Sequence, residues 1–237
     1  MTGRAPAWYA QRGGRAADLV TLLHIPYTAW HLAYVAMGAA LAPAIDWRIL
    51  AGTLLAFAVG LGVSAHALDE LNDRPLRTRL SDGQLLGLAV AGFIVVGALA
   101  VAGAVIVSPW ILVWAAAGIL ISAAYSLEWI PALHSLVGFG LAWGAFPVLA
   151  GFWAQTMSFS AASLGVAAAC TLISMAQRAL STPARFVRRR TDEASASFDQ
   201  GTSGWDGEEL LATWEIPLRL LGWGVVALAV GMLLTHL

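Results

Sequence analysis

Seven apolar runs, each of eighteen residues or more, leave this chain little room for a water-soluble fold. They cover about 19–42, 49–68, 84–107, 109–127, 131–155, 159–180 and 212–236. A helix rising about 1.5 Å per residue needs some twenty residues to cross a hydrocarbon layer about 30 Å thick, so each run is long enough. Backbone N–H and C=O groups find no water in lipid, and uninterrupted runs of this kind satisfy them internally only as helices. Composition agrees, with 59% hydrophobic and 11% charged residues. The expectation is an all-α, polytopic transmembrane helical bundle forming a single domain over residues 1–237, with no separate soluble domain.

The arginines orient it. There is no lysine, and Arg4, Arg12, Arg15, Arg74, Arg77, Arg79, Arg178, Arg185, Arg188, Arg189 and Arg190 all fall on one side if the runs alternate, whereas the other side holds Asp46 and Arg48. Positive charge marks the cytoplasmic face. Residues 1–18, the 69–83 loop and the 181–211 loop are therefore expected in the cytoplasm, and the carboxyl terminus outside. The net charge of −1 conceals this asymmetry and gives no indication of a nucleic-acid partner. The polar, arginine-bearing first seventeen residues do not suit a cleaved signal peptide. The lone Cys170 excludes an internal disulfide and a cysteine-based metal cluster. Without lysine there is no retinal Schiff base, and no Gly-rich phosphate loop, G-x-S-x-G elbow or H-E-x-x-H pair occurs.

Polar residues at membrane depth carry most of the functional information, because lipid-facing and core-facing positions are alike apolar. His66, Asp69, Glu70 and Asp73 lie at the end of the second run, ahead of a basic loop. At about 100° per residue the four share roughly a third of the helix circumference. Clustered carboxylates suit a hard cation such as Mg2+, with Asp69, Glu70 and Asp73 as ligands; alternatively the group is only the wet end of a span. The expectation is that Asp69, Asp73 and His66 converge on a central cavity open to the cytoplasm, with Glu70 at its edge. The first run carries His24, Tyr27, His31 and Tyr34, a stripe that either lines a cavity for an apolar substrate or bonds to neighbouring helices; Pro26 kinks this helix or marks where its regular part begins. Gly138, Gly140, Gly144 and Gly151 are expected to let helices approach closely. The 181–211 loop begins with Pro183 and the basic Arg185–Arg190 stretch. It then turns acidic through Asp192, Glu193, Asp199, Asp206, Glu208 and Glu209, as a lid or linker would. Glu215 and Arg219 form an i, i+4 pair of structural character.

Together these residues resemble the UbiA superfamily of intramembrane prenyltransferases. Its first motif, N-D-x-x-D-x-x-x-D, is matched by Ala65-His66-Ala67-Leu68-Asp69-Glu70-Leu71-Asn72-Asp73, which keeps the two later aspartates and replaces the opening Asn-Asp with Ala-His. Arg74-Pro75-Leu76 and Ser81-Asp82-Gly83 look like a shortened R-P-x-P-S-G segment, and Tyr125-Ser126, the run Gly144–Gly151 and Gln155-Thr156 look like the family's middle region. The second motif, D-x-x-x-D-R-x-x-G-K-R-T, departs. With its last Arg-Thr on Arg190-Thr191, Arg185 and Arg189 take basic positions, but the two aspartates fall on Leu180 and Ala184 and the glycine on Arg188. Seven runs stand where the family typically has nine spans.

The resemblance implies an enzyme acting on a prenyl diphosphate with Mg2+, transferring the prenyl group to an acceptor or cyclising it. Asp69, Asp73 and His66 would be the catalytic group, with Mg2+ on Asp69, Glu70 and Asp73. Holding the leaving pyrophosphate normally takes two carboxylate clusters with their metal ions. Here Arg178, Arg185, Arg189 and Arg190 would supply the missing charge, since guanidinium groups match phosphate oxygens in bidentate fashion. His24, His31, Tyr34 and Tyr125 would line the cavity, and Trp30, Trp143 and Trp153 could add cation–π stabilisation. The alternative is a non-catalytic isoprenoid- or lipid-binding or accessory membrane protein that kept the fold and lost the second cluster. A transporter or lipid enzyme using the His/Asp/Glu group as a proton or metal relay is a third reading.

Overall fold

The computed structural model describes residues 5–11, 13–190, 196–197 and 204–237. Ten α-helices occupy most of this length: α1 (Arg15–Leu22), α2 (Ile25–Ala40), α3 (Trp47–Val59), α4 (His66–Asp73), α5 (Asp82–Ile106), α6 (Trp110–Ser126), α7 (Leu136–Gly140), α8 (Phe146–Thr156), α9 (Ala161–Arg190) and α10 (Gly207–Leu234). A wider π turn over Gly60–Ala65 joins α3 to α4, and a second over Leu141–Ala145 joins α7 to α8. The only strands among the described residues are β1 (Ala196–Ser197) and β2 (Gly204–Trp205), a short antiparallel pair. Five helical stretches are long and apolar enough to cross a membrane: Trp47–Asp73, Asp82–Ile106, Leu136–Thr156, Ala161–Arg190 and Gly207–Leu234. The apolar α6 is shorter, at 17 residues. Ile94, Val101, Val105, Ile106, Leu120, Leu172 and Leu220 point outward, as a lipid-facing surface requires.

Three elements differ from the sequence expectation. The first apolar run breaks at His24, which takes a left-handed conformation (φ 45°), and α2 starts at Ile25 with Pro26 in its first turn. Proline lacks an N–H and fits a helix start, while Thr28 Oγ1 donates to the Leu23 carbonyl at 2.6 Å and satisfies the broken end. The helix of the sixth run, α9, extends ten residues beyond its expected end, so Pro183 and the Arg185–Arg190 stretch are helical rather than loop. Ser181, Ala184 and Val187 recur at i, i+3, i+6 and are buried, so packing holds these turns together despite the proline. Of the expected acidic lid, Asp206 instead caps α10, accepting from the Glu208 and Glu209 N–H groups at 2.8 and 2.9 Å. Asp192, Glu193 and Asp199 lie outside the described residues.

The core sits where α2, α8, α9 and α10 meet, around Trp30, Tyr34, Met37, Val148, Cys170 and Val225. The α2–α8 contact depends on two glycines: a Cβ on Gly38 would lie 2.0 Å from the Val148 carbonyl oxygen, and one on Gly151 2.2 Å from that of Val35. Backbones this close are how small residues hold membrane helices together. The opposite ends of the bundle differ in polarity. Arg77 donates to the Arg189 carbonyl at 3.0 Å, Arg189 Nε to the Pro6 carbonyl at 3.2 Å, and Arg79 pairs with Asp18 at 3.1 Å. The amino-terminal segment, the 74–82 loop and the end of α9 thus meet at one basic end. At the other end Asp46 and Gln155 exchange two hydrogen bonds, and His236 reaches the Ala40 carbonyl.

Candidate functional site

A polar chamber of about 120 Å3 opens within the basic end of the bundle. Both π turns contribute to its wall through Leu61, Ala65 and Trp143. A π turn carries an extra residue that re-aims the side chains following it, and such turns recur at functional sites. Beyond the first turn, α4 presents His66 and Asp69 to the chamber. The His66 ring stacks on His24, centroids 3.9 Å apart, so the break between α1 and α2 completes the wall. One face of α9 adds Gln177, Ser181, Ala184, Arg185 and Arg188, with Arg189 beside them. His31, Tyr27 and Tyr125 also line it.

The four polar residues of α4 do not act together. Glu70 is fully buried and accepts from Leu76 N–H at 2.8 Å, Thr78 N–H at 2.7 Å and the Thr78 hydroxyl at 2.9 Å, which makes it the anchor of the 74–80 loop. Asp73 is exposed at the helix end, beside the left-handed Arg74. The sequence argument placed all four on one arc, and they are on one arc. That arc divides between two neighbours, however, with Asp69 on the chamber side and Glu70 on the loop side, while Asp73 lies about 10 Å along the axis from His66. Of the three residues expected to converge on a cavity, His66 and Asp69 line the chamber and Asp73 does not, and Glu70, expected at its edge, lies outside the lining. Among the described residues, no three His, Cys, Asp or Glu side chains could hold a metal ion together. A Mg2+ ion here would have Asp69 and the oxygens of its own ligand.

The arginines also divide. Arg185 and Arg189 line the chamber; Arg188 does so while held by Glu215 through both guanidinium and carboxylate forks, with Arg219 on the same carboxylate at 3.4 Å. Arg178 stands outside, donating to the Tyr125 hydroxyl at 3.1 Å and the His134 carbonyl at 2.6 Å, with its guanidinium over the Phe139 ring. It braces the 131–140 segment against α9 and is not a chamber cation. Arg190 is exposed at the end of α9 and does not line the chamber. Tyr34 is buried in the core, where it accepts from Ser174 Oγ at 3.4 Å, and does not line the chamber either.

Sequence reasoning missed the amino-terminal strap. Pro6, Ala7, Trp8 and Tyr9 cover the chamber, Tyr9 packing on His24 and Tyr27 and the Arg219 guanidinium lying 4.6 Å from the Trp8 ring centre. Burial pushes the Tyr9 phenol above its ordinary pKa, so it remains a neutral donor. The available signal was an aromatic pair just before the first apolar run, where interfacial anchors occur. Gln177 and Ser181 were missed as well; Ser181 lies in the extra turns of α9, whereas Gln177 sits within the expected run.

A second, larger cavity of about 520 Å3 runs between α3, α5, α6 and α8, lined by apolar side chains including Phe57, Val96, Trp114 and Phe146. Leu61 and Trp143 belong to both linings, so these two side chains stand between the polar chamber and the apolar groove. Compared with protein-family models, with curated proteins and with solved structures, the chain gives no match.

Proposed function

We propose that this chain is an integral membrane protein that acts on an isoprenoid diphosphate, with the diphosphate in the polar chamber and the chain in the apolar groove. The observation that carries this reading is that the two cavities are neighbours, bordered in common by Leu61 and Trp143. An amphiphile is the ligand whose two halves fit such a pair. By volume, the chamber holds about ten waters at roughly 10–15 Å3 of probe space each, enough for a diphosphate, and the groove falls in the range usual for ligand sites. Arg185 and Arg189 supply positive charge, Tyr9 and Tyr27 offer hydroxyl donors, and His66 and Asp69 line the same chamber. Mg2+ would be held by Asp69 and phosphate oxygens, and would neutralise charge on the leaving group. In this reading the chain crosses the membrane seven times, with the basic end in the cytoplasm and the carboxyl terminus outside. The fold reading remains a divergent UbiA-like bundle.

The position of Glu70 and Asp73 favours a second reading, in which the protein binds the lipid without turning it over. One experiment separates the two. Purified full-length chain is incubated with a panel of prenyl diphosphates, with and without Mg2+, and pyrophosphate release is measured. Release above the Asp69→Asn background supports the enzyme, and release without an added acceptor supports cyclisation. Binding of the panel with no release supports the non-catalytic reading, and neither binding nor release refutes both.

A further inference from the structure

We propose that Arg219 holds the phosphate of an anionic phospholipid, in the leaflet at the basic end of the bundle, with one acyl chain in the crevice beside it. On α10, Ile216, Arg219, Leu220 and Trp223 recur at i, i+3, i+4 and i+7, and all four are exposed among the described residues. An arginine therefore interrupts an apolar, lipid-facing stripe. The helix begins at the basic end, where Leu211 packs on Ala184 and Val187. Arg219 precedes Leu234 by fifteen residues, about 22 Å along the axis, against the roughly 30 Å of a hydrocarbon layer. With Leu234 at the far boundary, the Arg219 backbone lies about 8 Å inside the near one. Helical side chains lean towards the amino terminus, and from that depth an arginine reaches the headgroups.

A charge at this depth is costly unless paired. Glu215 supplies part of the pairing, but Arg188 grips that carboxylate through both forks, and Arg219 reaches it by a single bond of 3.4 Å. Among the described residues Arg219 makes no other hydrogen bond, and its side chain stays 46% exposed. The Trp8 ring centre, 4.6 Å from the guanidinium, steadies it through a π face and takes none of its N–H donors. Such donors match phosphate oxygens in bidentate fashion. A phosphodiester with one negative charge completes the pairing, whereas a choline headgroup brings its own cation to a basic end and gains less. Below Arg219, Gly222, Trp223 and Val226 wall a shallow crevice against Pro26 and Trp30 of α2, an apolar lining suited to the upper part of an acyl chain. Trp8 and Trp223 flank it as interfacial aromatics do. The inference goes beyond the diphosphate reading and rests only on α10 lying in a membrane.

The test is native mass spectrometry of the full-length protein, delipidated in a neutral detergent and titrated with dioleoyl phosphatidylglycerol, dioleoyl phosphatidylcholine or dioleoylglycerol. The first phosphatidylglycerol is expected to bind about fivefold more tightly than phosphatidylcholine, the factor that one arginine gives at an anionic surface. Dioleoylglycerol, which has the chains without the phosphate, should bind more weakly than either. Arg219→Gln should remove the preference, and Arg190→Gln, at an exposed arginine of the same end, should leave it in place. A phosphatidylglycerol with a diazirine near the top of one acyl chain should label Trp223 or Val226 in the wild type, which locates the site even if Arg219→Gln fails to fold. Equal affinity for the two phospholipids, a preference that survives Arg219→Gln, equal loss in Arg190→Gln, or labelling elsewhere would overturn the proposal. So would glycerol phosphate binding as tightly as the lipid, which would leave a site for free phosphate, or a lipid-free dimer that dissociates in Arg219→Gln, which would give this face to a second copy. Pyrophosphate binding, which reads Arg185 and Arg189, decides the diphosphate reading separately.

Discussion

Replacing Glu70 with glutamine separates a metal ligand from a loop anchor. One carboxylate oxygen accepts from Leu76 N–H at 2.8 Å, and the other accepts from both the Thr78 N–H at 2.7 Å and the Thr78 hydroxyl at 2.9 Å. Glutamine retains one oxygen, which can keep the Thr78 pair. Its amide NH2 then faces the Leu76 N–H, donor against donor. One charge-assisted bond disappears and one buried N–H is orphaned, at a cost of about 2 kcal/mol. For a chain of this length that lowers Tm by about 4–8 °C. Glu70→Ala orphans both backbone N–H groups and should cost about 4 kcal/mol. Thermal unfolding of the purified variants in one detergent measures the shift, and a Mg2+ titration of diphosphate binding is run on the same samples below the transition. A Glu70→Gln chain that unfolds at the wild-type temperature but loses its Mg2+ response would return Glu70 to the metal site and refute the anchor assignment.

Other substitutions probe the remaining walls. Arg185→Gln with Arg189→Gln should weaken pyrophosphate binding by more than tenfold at low salt, the condition in which exposed charges act most strongly, and unchanged affinity would reduce these arginines to setting topology. Ala184→Asp places a carboxylate on the chamber wall beside Arg185 and Arg188 and should lower pyrophosphate affinity, whereas Leu180→Asp, on a residue that does not line the chamber, should act only through expression and stability. Gly151→Leu drives a side chain into the Val35 carbonyl oxygen, which lies 2.2 Å from where even a Cβ would sit, and should abolish the folded peak in size-exclusion chromatography; a normal peak would contradict the α2–α8 packing.

Much of the bundle was legible because membrane helices announce themselves by length and apolarity: five of the seven runs coincide with helical stretches long enough to span, while the first is split between α1 and α2 and the fourth gives the shorter α6. Helix ends were less legible. Pro183 and three consecutive arginines look like the end of α9, yet the buried face of Ser181, Ala184 and Val187 carries it to Arg190. At the site, the sequence located His24, His31, His66, Asp69, Tyr125, Arg185 and Arg189, all of which line the chamber. Glu70, Asp73, Arg178, Arg190 and Tyr34 do not line it, and the sequence could not have shown this. Helical spacing fixes the direction a side chain leaves its axis, and says nothing about which neighbour is packed in that direction. Glu70 meets a loop, Arg178 a carbonyl and a phenol, and Tyr34 a core. The strap at Pro6–Tyr9 was hidden because its contacts with Arg189 and Arg219 span most of the chain length.

The amphiphile claim is tested most directly by photolabelling the full-length protein in nanodiscs with a prenyl diphosphate carrying a diazirine at the far end of its chain. The two-cavity account predicts labelling of groove residues on α3, α6 and α8, Phe57, Trp114 and Phe146 among them, abolished by excess unlabelled diphosphate and weakened by Arg185→Gln with Arg189→Gln. Labelling confined to the outer, lipid-facing surface around Ile94, Val105 and Leu172, or groove labelling that excess diphosphate does not compete, would contradict it.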